Sequence, residues 1–283
     1  MVDERPGADL AVERVIAGDG GVGVLLIHGL TGTPAEMAPL AAALHGRHPL
    51  WIVRVAGHAT NVADLAETSW LDWYASAATS LHALSAVSSR VVVVGLSMGA
   101  LLALHLAIEH PETVAGVALL SPAVALRRRT VRRLSRFLRA LAALDARSAA
   151  LRARLARILF VKHGSDIADP EVRAHHPGYR QIPLRALLNL TLLQRVVRHE
   201  APRVTQPALV VHAIHDHTCP LSAERDLYSH LGSHEKRLVL LEESFHVVTV
   251  DRERDRVCDE VRRFLDERAE LPLHWSTDLD VSS

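Results

Sequence analysis

The stretch Gly95-Leu96-Ser97-Met98-Gly99 carries the side chain best placed for nucleophilic chemistry. A serine hydroxyl attacks poorly until a base takes its proton, and that base needs an acid to orient it. Glycines two residues before and after Ser97 suit a turn too sharp for neighbouring side chains. Ser97 would then open a helix, where unpaired N–H groups and the dipole favour developing negative charge. Two later loops supply the remaining residue types: Ile214-His215-Asp216-His217-Thr218-Cys219-Pro220 and Glu242-Glu243-Ser244-Phe245-His246-Val247. Asp216 is expected to be the acid and His246 the base. Glu242 and Glu243 are the other acids on the histidine's loop, and solvation is their expected role. Acyl transfer also needs donors for the oxyanion of a tetrahedral intermediate. The Met98 N–H is one, and the Leu30 N–H, in the loop His28-Gly29-Leu30-Thr31-Gly32-Thr33-Pro34, is the other.

The elements around these loops must bring them together. Val91–Val94 is four β-branched residues in a row, a strand covered on both faces. Apolar residues from Leu101 to Ile108 then predict a mostly buried helix ending near Pro111. Before it come strands at Val12–Ile16, Val22–Ile27 and Trp51–Val55. Helices are expected from Pro34, capped by Thr33, to about Leu44, and from Ser69 to about Ser88. A strand at Val117–Leu120 follows. The alternation resumes with strand Ala208–Ala213, helix Ala223–Leu231, strand Arg237–Leu241 and helix Arg254–Arg268. Short-range alternation of this kind predicts an α/β fold, a mostly parallel sheet flanked by helices. The three candidate side chains then fall at carboxyl ends of strands, in the order nucleophile, acid, base.

Taken together, His28-Gly29-Leu30-Thr31-Gly32, Gly95-Leu96-Ser97-Met98-Gly99, His215-Asp216 and Ser244-Phe245-His246-Val247 resemble the α/β-hydrolase superfamily. Within it they are similar to bacterial carboxylesterases and monoacylglycerol lipases. Gly57-His58, Asp72-Trp73 and the run Asp251 to Asp255 add to the likeness, which spans about residues 22–121 and 206–268. The resemblance implies an α/β-hydrolase fold with an inserted helical cap and a triad of Ser97, Asp216 and His246. It also implies Leu30 and Met98 as the oxyanion amides, no cofactor, and cleavage of carboxylic esters through an acyl-enzyme. Thioesterase or acyltransferase chemistry with the same triad, carbon–carbon bond hydrolysis, and a non-catalytic receptor on this scaffold are the alternatives. Ala100 and Ala59 depart from the pattern, each standing where glycine is common.

The 283 residues carry 32 basic and 32 acidic side chains, a balance that argues against a dedicated nucleic-acid binder. Residues 1–122 and 206–270 form the expected hydrolase core, 123–205 the cap and 271–283 a tail. No strand is expected in the cap. Eleven arginines against one acid, Asp145, lie between Arg127 and Arg157. Arg129, Arg132, Arg133, Arg136 and Arg139 recur at helical spacing, and Arg147, Arg152, Arg154 and Arg157 mark a second basic helix, with Leu151, Leu155, Ile158 and Leu159 on its other face. Solvation of the cap's outer face is the expected role, with transient contact to anionic lipid as the sharper alternative. Leucines from Leu184 to Leu193 predict a further cap helix. His212, His215, His217 and Cys219 crowd one loop without a distant ligand cluster, so no metal is expected. His28 and His58 are expected to hold loops, and Trp70 and Trp73 to pack a helix face. The N-terminus predicts no secretory leader and no apolar run reaches bilayer-spanning length. With two cysteines, Cys219 and Cys258, expected free, the cytoplasm is the expected compartment.

Overall fold

A computed structural model describes residues 14–16, 21–127, 148–162 and 164–269. The expectations for the start of the Val12–Ile16 strand, for Arg129 to Arg147 including Asp145, and for the tail at 271–283 lie outside these residues. The chain enters through β1 (Arg14–Ile16) and β2 (Val22–Ile27). A 3-10 turn at Pro34–Met37 then runs into α1 (Ala38–Leu44). Next come β3 (Leu50–Val53), α2 (Val62–Glu67), α3 (Trp70–Ser85), β4 (Arg90–Leu96), α4 (Met98–Glu109) and β5 (Val114–Leu120). An inserted segment holds α5 (Ala149–Ala156), β6 (Leu159–Val161), α6 (Pro170–His175), β7 (Gln181–Pro183) and α7 (Leu184–Glu200). The chain then returns through β8 (Ala208–Ala213), α8 (Leu221–His230), β9 (Lys236–Leu241) and α9 (Arg254–Ala269).

One seven-stranded sheet runs in the order β1-β3-β2-β4-β5-β8-β9. Six strands are parallel and β1 closes the edge antiparallel to β3. Strand alternation divides the apolar residues between two cores. Leu25, Ile27, Val91 and Val93 face Trp73 and Leu101 of α3 and α4. Val24, Leu26, Val92 and Val94 face Leu40 and Phe264 of α1 and α9. A strand covered on both sides has no reason to alternate with polar residues, which accounts for the unbroken valines of β4. α3 begins in a capping box, Ser69 and Asp72 each satisfying the other's backbone N–H, a device worth about 1 kcal/mol.

Local expectations fail at three places. Thr33 stands at the N-cap position with extended backbone, but its side chain makes no capping hydrogen bond, and among the described residues its buried hydroxyl has no partner. The helix there begins as a 3-10 turn instead. The second basic helix ends at Ala156, and Ile158 and Leu159 lie beyond it. Leu159 opens a strand: Leu159–Val161 pairs antiparallel with Gln181–Pro183, so the inserted segment does hold a small sheet. Three-residue strands are too short for periodicity to reveal. Among the described residues, no helix is long and apolar enough to cross a membrane.

Candidate active site

β4 ends at the centre of the sheet and delivers Ser97 above its carboxyl edge. Ser97 has φ +56° and ψ −111°, a strained backbone for a residue with a side chain. Its neighbours explain why the turn needs glycine. A Cβ on Gly95 would stand 2.2 Å from the Gly99 carbonyl oxygen, and one on Gly99 would stand 2.2 Å from that of Ile27. Ala100 is fully buried and its methyl is accommodated, so the turn tolerates this departure. Ala59, the other departure, takes a left-handed φ of +55°, the conformation a glycine would adopt without strain.

The residues expected to form a relay meet. His246 Nε2 lies 2.9 Å from Ser97 Oγ, and His246 Nδ1 lies 2.7 Å from Asp216 Oδ2. The second oxygen, Asp216 Oδ1, accepts from the Thr218 and Cys219 N–H groups, both at 2.7 Å. Asp216 is 1% exposed and His246 7%. Burial opposes charge on both groups, and their attraction reverses that. The charge of Asp216 and its hydrogen bond hold the His246 pKa above the ordinary 6.5, while His246 and the Cys219 N–H hold Asp216 below the usual carboxylate value. His212 Nε2 is 3.8 Å from Asp216 Oδ2, yet burial takes its pKa down to about 4, so it stays neutral.

The glycine-rich loop after β2 lies against Ser97: a Cβ on Gly29 would approach Ser97 Cβ to 3.3 Å. Among the described residues, neither the Leu30 nor the Met98 N–H donates to a protein acceptor. His28 accepts from the Val55 N–H through Nε2 at 3.3 Å, and His58 Nδ1 lies 3.0 Å from the Ala56 oxygen; both rings hold loops. Trp73 is buried and its indole N–H donates to Thr68 Oγ1, while Trp70 packs edge-on against His105.

A family model described as serine aminopeptidase, S33, matches residues 23–253. The chain belongs to this family of α/β-hydrolases. The hydrolase is 31% identical over 258 residues to a thermostable monoacylglycerol lipase of Bacillus sp. (strain H-257), covering 91% of this chain and 95% of that one. It is 24% identical over 245 residues to a carboxylesterase of Bacillus subtilis (strain 168), covering 86% and 92%. Among solved structures it superposes on one reported for LipS and LipT, two metagenome-derived lipolytic enzymes, at a TM-score of 0.78 and 28% identity. That match covers 91% of this chain and 98% of the other.

Three carboxylates that sequence reasoning did not assign hold the loops of the hydrolase. Asp251, fully buried, accepts four backbone N–H groups, from Phe245, Arg252, Ala168 and Asp169, at 2.8–3.0 Å. Glu253 accepts from the Glu242, Glu243 and Ser244 N–H groups, and the Glu242 and Glu243 side chains are exposed. The acidic run after His246 was the available signal. Asp166, in the inserted segment, accepts from the His217 N–H and the Thr218 hydroxyl, while its carbonyl accepts from the Val247 N–H. Nothing in a single sequence marks it. His215 is exposed, His217 is turned to Asp166 and His212 is buried, so these three histidines point to different tasks. Cys219 and Cys258 are free and buried, and burial raises both thiols' pKa values.

Proposed function

We propose that this carboxylic ester hydrolase cleaves monoacylglycerols and other esters of short to medium acyl chain, with Ser97 as nucleophile, His246 as general base and Asp216 as its partner. His246 removes the Ser97 proton as the hydroxyl oxygen attacks the ester carbonyl. The Leu30 and Met98 amides carry the oxyanion. The tetrahedral species collapses, the bond to the alcohol breaks, and His246 returns its proton to the leaving oxygen. A water, deprotonated by His246, then releases the acid from the acyl-enzyme and restores the serine. The observation that carries this reading is the unbroken chain Asp216–His246–Ser97, at 2.7 and 2.9 Å, ending on a serine held in a strained turn.

The substrate class rests on the relatives: the match to a monoacylglycerol lipase covers nearly the whole of both chains. We read residues 123–205 as a helical cap over a core of 1–122 and 206–270, with residues 271–283 a tail. Its leucines, among them Leu155 packed on Leu188, would give the acyl chain an apolar roof. Arg154 and Arg157 are exposed on this segment and could meet anionic lipid transiently. The cytoplasm is the compartment we propose for it. Ser97→Ala is expected to abolish hydrolysis of nitrophenyl esters and of monoacylglycerols graded in chain length. Undiminished turnover by that variant would reject the assignment.

A further inference from the structure

Leu30 sits between two residues held by opposite ends of one buried polar chain. On one side, the Gly29 N–H donates to Glu36 Oε2 at 3.1 Å, and Glu36 Oε1 lies 3.2 Å from His176 Nε2. His176 Nδ1 and Ser165 Oγ are 2.8 Å apart. Lys162 Nζ then donates to Ser165 Oγ at 3.3 Å and to Thr31 Oγ1 at 3.2 Å. The circuit leaves the backbone at residue 29 and rejoins it at residue 31. The Tyr179 N–H adds a second tie, donating to the Thr31 carbonyl at 2.8 Å. Lys162, Ser165, His176 and Tyr179 all belong to the inserted segment between β5 and β8.

An ammonium only donates and a carboxylate only accepts, so Lys162 donates to Ser165 and Glu36 accepts from the Gly29 N–H. Between them His176 lies 2.8 Å from Ser165 Oγ through Nδ1 and 3.2 Å from Glu36 Oε1 through Nε2, the latter a close contact rather than an aligned hydrogen bond. The imidazole is thus held between the Glu36 carboxylate on one side and Ser165 on the other, and a connected buried network of this kind favours one geometry. The loop needs such ties. Thr31 has φ +65°, a left-handed conformation that costs a residue with a side chain about 1–2 kcal/mol. Gly32 leaves the space the carboxylate occupies: a Cβ there would fall 2.1 Å from Glu36 Oε2.

We propose that His176, with Ser165 and Lys162, is a positioning residue of the oxyanion hole, so that the inserted segment aims the Leu30 N–H. The inference rests on the reading of Ser97 as nucleophile and Leu30 as oxyanion donor. A group that aims a donor at the oxyanion matters in the transition state and little in the ground state, so kcat falls and KM stays. Removal of a whole oxyanion donor typically costs about 100-fold or more, and loss of its support is expected to cost about 10-fold.

The test compares His176→Leu and Lys162→Met, which cut the circuit on opposite arms, with His176→Gln, which keeps a donor toward Glu36. Each is measured for kcat, KM, melting temperature and inhibition by an alkyl boronic acid, whose adduct with serine is tetrahedral and anionic. A neutral fatty alcohol serves as the ground-state control. Both cutting variants are expected to fold, lose kcat and bind the boronic acid more weakly by a similar factor, with the alcohol unaffected and His176→Gln partly restored. If His176→Leu does not fold, Lys162→Met decides alone. Folded variants with wild-type kcat, or equal weakening of boronic acid and alcohol, would overturn the proposal. The underlying reading fails separately: an active Ser97→Ala enzyme removes it whatever the other variants do.

Discussion

Replacing Asp216 by asparagine exchanges one oxygen for an NH₂ and should disable the proposed base, His246. Asp216 Oδ1 accepts two backbone N–H groups at 2.7 Å, from Thr218 and Cys219. An amide NH₂ turned toward those donors would oppose two N–H groups with a third donor, so the asparagine oxygen must stay there. Its NH₂ then faces His246 Nδ1, where the carboxylate oxygen stood at 2.7 Å. That nitrogen must become the acceptor, and the imidazole proton moves to Nε2, which faces Ser97 Oγ at 2.9 Å. A protonated Nε2 cannot take the serine's proton. The loss typical of a wrong tautomer is about 10⁴-fold in kcat, about 5.5 kcal/mol. Nitrophenyl butyrate hydrolysis followed beside a melting curve measures it. Folded Asp216→Asn enzyme with more than about a tenth of wild-type kcat would refute the reasoning.

Two further outcomes follow from the same loops. His246 must be neutral to act, and Asp216 favours its charged form, so the acid limb of kcat/KM is expected to be centred above 6.5. Rates from about pH 5 to about pH 9 locate it, and a limb at or below the ordinary histidine value would contradict the pairing. Asp251→Asn must turn an NH₂ on two of the four backbone donors that its oxygens now accept. Orphaned buried donors cost about 1–3 kcal/mol each, so the variant should lose about 2–6 kcal/mol. Thermal unfolding checks this, and an unchanged melting temperature would remove Asp251 from its place in the histidine loop.

The parallel sheet was legible because its strands are long, apolar on both faces and separated by helices with clear ends. The elbow was legible for a different reason: Gly95 and Gly99 are required by backbone atoms 2.2 Å from where a Cβ would sit, and such contacts leave a residue-type signature. Asp216 and His246 could be found because each lies one loop beyond a readable strand. Glu36, Asp166 and His176 could not. Each acts on a partner far along the chain or on backbone N–H groups, and neither kind of contact imposes a spacing. The β6–β7 pair escaped because three residues hold less than two full alternations. Thr33 has the right residue type for a cap and the right backbone, but its hydroxyl does not reach.

Asp166 and Asp251 bind the stretch 166–169 to the acid loop on one side and to the histidine loop on the other. That stretch is thus a keystone rather than part of a swinging door. Any rearrangement that admits a fatty chain has to take place elsewhere in the insert, with this block standing still. An engineer who trims the insert to widen entry, or transplants one from a relative, must leave these five contacts in place; otherwise the edit dismantles the proposed relay it was meant to expose.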